Sequence, residues 1–248
     1  MRSIRTRSDR YLRLAAFVGS LLSICGCSDP LAAPRARGTA TADAPKHGGT
    51  LRLASFADIR TLDPAAVSDQ LADEVVQLIF AGLVDFDADG KVFPDLAEKI
   101  ETSPNGLVYT FTLRQGVLFQ DGTELTAGDV KRSVERSLHP DSPTPYGSFY
   151  DNLVGATAYT QKKAAEVTGV TVGGKYTVAF RLAKPDATFL SLLALHPLRP
   201  VCKSAGSTYS DKWLPCGAGP FKLEPGGWDR GRSLTLVRNE AYFRPGLP

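Results

Sequence analysis

GLVYTFTLRQGVLFQDGTELTAGDVKRSVER, residues 106–136, follows Asn105 and decides how the rest of the chain is read. Tyr109, Phe111 and Leu113 alternate with Thr110, Thr112 and Arg114, the period-two signal of a half-buried strand. Gln115-Gly116 is a turn, and Val117-Leu118-Phe119 is a second short strand closed by Asp121-Gly122. Thr126 stands where a helix N-cap belongs, and Asp129 three residues on makes a variant of the capping box. The helix it opens carries Val130, Val134 and Leu138 on one face, and Pro140 stops it. Periodicity alone asks for a strand pair and a helix in a mixed α/β domain.

Upstream, Gly48-Gly49 precedes an expected short strand, Thr50 to Ala54, with Leu51 and Leu53 on one face. A loop ends at Thr61-Leu62-Asp63-Pro64. The next helix starts near Asp69, turns Leu71, Val75, Leu78 and Ile79 inward, and ends at Gly82. Asp85, Asp87, Asp89 and Gly90 imitate the first half of a calcium loop, but its twelfth position is Leu96 and Pro94 lies inside it. A hairpin turn at Asp87 to Gly90, between Val84/Phe86 and Val92/Phe93, accounts for the acids better.

Downstream, His139 to Tyr150 is a Pro- and Ser-rich loop, and Asn152 to Val167 reads as a helix or two with Gln161-Lys162-Lys163 outward. Gly169 to Lys175 nearly spells a phosphate-cradling loop. Tyr176 stands where Ser or Thr would hold magnesium, and a strand of Tyr176, Val178 and Phe180 follows where a helix is needed. Gly173-Gly174 is therefore a hairpin turn, and nucleotide binding is rejected. Cys202 and Cys216 enclose thirteen residues and read as a disulfide in an exported protein. A metal pair is the weaker alternative, because His196 is the only histidine nearby.

The 106–136 string resembles the hallmark segment of the family 5 solute-binding proteins, the oligopeptide- and dipeptide-binding subunits of ABC importers. The resemblance runs on through Gly49 to Ser55, Pro94 to Glu98, Gly217 to Phe221 and Arg238 to Tyr242, in family order. Ala218 stands where the family usually has threonine.

The resemblance implies an α/β fold like the type II periplasmic binding proteins, a mixed sheet with an inserted α+β domain. It implies main-lobe pieces at 48–80 and 204–248, with the inserted domain at 81–203. About half of the family pattern, including the second lobe, does not follow Tyr242 here, so the second lobe is expected to be missing. By resemblance, Ser68, Asp69 and Gln70 approach the backbone of a ligand and Tyr146 faces the binding cleft. Asp69 as a plain helix cap and Tyr146 as a loop-packing aromatic are the competing readings, and for Asp69 both hold together. The implied partners are a peptide or similar small solute, an ABC permease and its ATPase subunits, with no cofactor. The alternative is a truncated half-protein that does not bind alone.

The N-terminus reads as an export signal. Arg2, Arg5, Arg7, Arg10 and Arg13 form a basic region, and Leu14 to Ile24 an apolar core shorter than the roughly 20 residues that span a bilayer. Ile24-Cys25-Gly26-Cys27 resembles a lipobox, so residues 1–26 would be removed and Cys27 lipidated. Cleavage after Ala40-Thr41-Ala42 lies too far from the apolar core. Residues 27–47, rich in Ala, Pro and Thr, form a tether with a reach of roughly 25 Å. The protein is expected on the periplasmic side of a membrane, held by its lipid.

Residues 1–26 carry five arginines and one aspartate, whereas the whole chain is +3, so the remainder is about −1. The basic balance belongs to the leader, and no nucleic-acid partner is implied. An exported enzyme is disfavoured, since there is no G-x-S-x-G or H-E-x-x-H and the three histidines, His47, His139 and His196, stand near no nucleophile signature.

Overall fold

A computed structural model describes residues 48–210 and 212–244. The expected leader, the lipid site at Cys27 and the tether lie outside the described residues.

The decisive segment becomes the centre of the first core. β3 (Ala97–Thr102), β4 (Val108–Leu113), β5 (Val170–Gly174) and β6 (Thr177–Arg181) form an antiparallel sheet in the order β3-β4-β6-β5. Tyr109, Phe111 and Leu113 face inward as their alternation predicts, and Phe111 lies opposite Val178. Its ring meets Phe180 edge-on at 5.5 Å between centroids. α2 (Ala127–Ser137) packs across β5 and β6 and buries Val130, Val134 and, just past its end, Leu138. Each such side chain contributes about 1.5–3 kcal/mol on burial. The Asp129 carboxylate accepts from both the Thr126 N–H (3.1 Å) and the Thr126 hydroxyl (2.7 Å), which starts the helix where the sequence asks. β1 (Val84–Phe86) and β2 (Val92–Pro94) form the hairpin expected around Asp87 to Gly90, with the Asp87 carboxylate accepting from the Asp89 and Lys91 amides.

A second core gathers Ile59, Leu62, Val67, Val201 and Ala205 with α1 (Gln70–Ile79). Leu234 and Leu236 of the hairpin β7 (Phe221–Asp229) and β8 (Ser233–Arg238) pack against it. The two cores meet at Arg136, whose guanidinium donates to both Asp63 oxygens (2.8 and 2.5 Å) with both side chains only 2% exposed. They meet again at Gln120. Its carboxamide nitrogen donates to the Ile79 and Phe221 carbonyls (2.9 and 2.7 Å), and its oxygen accepts from Gly217 (3.2 Å). The turn 217–219 lies so close to the end of α1 that a Cβ on Gly219 would stand 2.6 Å from the Ile79 oxygen. Cys202 and Cys216 are joined as a disulfide with Cα atoms 5.5 Å apart.

Several local expectations are corrected. Residues 50–54 are in no strand, because a strand exists only through a paired neighbour and no described backbone pairs with them. Leu51, Leu53 and Phe56 are 84%, 85% and 105% exposed. α1 ends at Ile79, three residues before Gly82, and its buried stripe is Ala72, Val76 and Ile79. Leu71 and Val75 flank that stripe half-buried and Leu78 is exposed. Residues 117–119 form a single bridge, Leu118 to Glu124, not a strand, since the bonds Phe119 N–H to Thr123 O and Leu125 N–H to Val117 O close a loop too tight for a ladder. Of residues 152–167 only α3 (Ala156–Thr160) is helical, and the left-handed Lys162 ends it. The β5–β6 turn sits at Lys175-Tyr176, just past the two glycines, so Tyr176 precedes its strand. α4 (Phe189–Ala194) is the apolar run before His196.

Candidate functional site

Asp69 caps α1: its backbone is extended, and its carboxylate accepts from the Ala72 amide at 2.9 Å. The competing role thus has a geometric basis, and it leaves Ser68, Asp69 and Gln70 side by side and exposed where the chain enters the helix. Positive partial charge gathers at such a terminus and favours anionic or carbonyl groups. The Gln70 carboxamide reaches Glu74 one turn along at 3.0 Å.

Tyr146 arrives from the opposite end of the chain fold, on the loop ahead of a short 3-10 turn at Gly147–Tyr150. It is half-buried, and its ring lies against Phe149 (5.6 Å) and, edge-on, against His196 (5.2 Å). His196 begins the 3-10 turn His196–Leu198 after α4 and is buried. Its Nδ1 is 2.7 Å from the Asp73 carboxylate in the first turn of α1, and its Nε2 is 3.3 Å from the Val67 carbonyl. One imidazole therefore joins the residue before Ser68, the helix after Gln70, and Tyr146. His196 and Asp73 thus connect Tyr146 to the segment that carries Ser68, Asp69 and Gln70.

The hydrogen bond from His196 is the main reason the Asp73 carboxyl is held below its ordinary range, with Arg199 adding to it and partial burial opposing. No local pattern announces this pair, because its members are 123 positions apart in the sequence. The one hint was a histidine wedged between Leu195 and Pro197, an apolar setting in which a ring nitrogen needs a partner.

The site presents a hydroxyl, a carboxylate, a carboxamide and a phenol, groups suited to hydrogen-bonding a polar ligand. Asp121 lies within 4.8 Å of the Cys202 and Cys216 sulfurs, but these are bonded to each other and offer no thiolate to a metal.

Comparison with known proteins identifies the family. The family described as "Bacterial extracellular solute-binding proteins, family 5 Middle" matches residues 91–248. The chain belongs to that family. Curated relatives include the glutathione-binding protein GsiB of Salmonella paratyphi A, 33% identical over 198 residues, and that of Escherichia coli K12, 29% identical over 199. Each alignment covers 79% of this chain and 36% of the relative, so the chain spans little more than a third of their length. Among solved structures, the Escherichia coli murein tripeptide binding protein MppA matches with a TM-score of 0.68 at 28% identity, over 75% of this chain and 37% of that one. A periplasmic oligopeptide-binding protein of Borrelia burgdorferi matches with a TM-score of 0.70 at 27% identity, over 75% and 38%. The family 5 α/β fold of the periplasmic binding proteins, present as part of a lobe, is thereby established for this chain.

Proposed function

We propose that this family 5 chain serves as a substrate-binding component of an ABC importer, taking up short peptides or closely related solutes such as glutathione. The observation that carries the reading is the link that one buried imidazole makes between Tyr146 and the 67–73 segment carrying Ser68, Asp69 and Gln70, in a family whose relatives are named for peptide ligands. These four residues line the ligand's approach. They hydrogen-bond to main-chain groups that every peptide carries, which makes binding tolerant of side-chain sequence.

The second core, from the pieces 48–80 and 204–248, forms the lobe. The first core, 81–203, is the inserted domain. The separation of the buried side chains into two clusters supports this division in outline, with Val201 in the second core and Ala218 in the first lying across the bounds. The chain works outside the cytoplasm, tethered to the membrane by a lipid on Cys27, and delivers its ligand to a permease. None of the helices among the described residues is long and apolar enough to cross a membrane. The ligand is released chemically unchanged, since binding and not turnover is the task.

Calorimetric titration of the protein with glutathione and with trialanine tests this. Saturable binding, with the ligand recovered intact by mass spectrometry, is the expected result. No heat up to millimolar ligand, or a cleaved product, overturns the reading.

A further inference from the structure

The acceptors around His196 impose a condition on its ring. A carboxylate and a main-chain carbonyl only accept, so the contacts to Asp73 (2.7 Å) and Val67 (3.3 Å) are both hydrogen bonds only when both ring nitrogens carry protons. A neutral ring keeps one of the two. We propose that His196 is a positioning residue for the ligand site, holding the 67–73 segment against Tyr146 while doubly protonated and loosening it when one proton leaves.

The argument rests on the reading of Ser68–Gln70 and Tyr146 as the ligand-facing residues. Ser68–Gln70 lie between the two points the imidazole grips, so a lost bond at Val67 acts directly on Ser68 next to it. The ring is buried and its edge-on contact with Tyr146 fixes the third side. Losing a proton therefore leaves a buried carbonyl or ring nitrogen without its partner, not merely a solvated one.

The charged surroundings are accounted for. Asp73 faces the ring from α1, and Tyr146 faces it from the loop. Arg199, three residues on, donates to the Phe80 carbonyl (2.6 Å) and to Asp85 (3.1 Å). From α2, which packs against residues 196–198, Arg136 is committed to Asp63 and Arg132 to the Val201 carbonyl. Asp73 is thus the acid in direct contact with the ring. Solutes captured in acidic surroundings would meet an ordered site, and alkaline surroundings a loosened one.

Hydrogen exchange of the Val67, Ala72 and Asp73 amides reports the segment, because these amides bond to Asp63 and Asp69 within it. After correction for intrinsic exchange, their protection in the native protein should fall about tenfold from acidic to alkaline solution, the scale of one lost charge-assisted bond. His196→Gln should show the low protection in both. Asp73→Asn keeps an acceptor but removes the charge beside the ring, so its protection in acidic solution should be lower than that of the native protein. Protection flat with pH in the native protein, or unchanged in Asp73→Asn, overturns the proposal even if His196→Gln does not fold. Glutathione titrations at pH 6 and pH 8 separate the two claims. Binding with flat exchange removes the role of His196 alone, whereas pH-dependent exchange without binding removes the ligand reading and leaves His196 as the holder of the segment.

Discussion

Asp95 shows how one buried residue ties stability to pH. Burial is the dominant influence and pushes its carboxyl up to about 6, although the Arg244 guanidinium 2.7 Å away pulls in the other direction. Asp85 nearby adds to the rise. The folded protein thus holds this proton more tightly than the unfolded chain does. Its contribution to stability is complete below the ordinary carboxylate range near pH 4 and is lost as pH rises through about 6. In Asp95→Asn that dependence should disappear. Urea denaturation at pH 4 and pH 7 should show the native protein losing up to about 3 kcal/mol more than the variant between the two. Parallel pH profiles for both proteins would refute the assignment. No feature of Pro94-Asp95-Leu96 in the sequence marks an aspartate as buried. Its charged partner, Arg244, comes from 149 positions further along the chain, and that is why the burial was not legible.

At the scale of elements, α2 and α1 make an instructive pair. Everything that starts α2 is local: Thr126, Asp129 and the spacing of Val130, Val134 and Leu138 all lie within thirteen residues, and the helix appears as read. α1 was recognised by the same signals, and Asp69 caps it, yet its buried face was rotated in the reading from Ala72 and Val76 onto Leu71 and Leu78. Small Ala72 carries little hydrophobic signal, while Leu78 carries much and is exposed. Side-chain size thus misleads about which face of a helix is turned to the core. The cap of α2 has a measurable worth. Thr126→Val keeps the shape and removes the hydroxyl that meets Asp129, and should cost about 1 kcal/mol in thermal or urea unfolding. An unchanged midpoint would show that the Thr126 N–H bond to Asp129 is enough by itself.

For the molecule as a whole, the two cores and the contacts between them carry the reading of lobe and insertion. The order of motifs along the chain announced the family. It did not announce how the second core returns to the first, because Arg136 and Asp63 are 73 residues apart and nothing local pairs the end of one motif with the other. The pair is fully buried, and Arg136 also donates to the Ala205 carbonyl and lies over the Trp213 ring at 5.2 Å. Arg136→Met strands an aspartate in the interior and should cost roughly 3–5 kcal/mol. Adding Asp63→Asn should restore part of that loss, since the uncompensated charge is then gone. Equal losses in the single and double variants would argue that the guanidinium's other contacts, not the ion pair, join the cores.

Gln120 carries a consequence of another kind. One carboxamide answers three main-chain groups from two stretches of chain that are distant in sequence, Ile79 in one and Gly217 and Phe221 in the other. A glutamate there would turn an oxygen toward two carbonyl oxygens, and an asparagine is one methylene too short to span them. An exposed side chain such as that of Ser68 can change without stranding a buried partner. Position 120 has no such freedom, because the alternatives leave main-chain groups of both stretches unanswered.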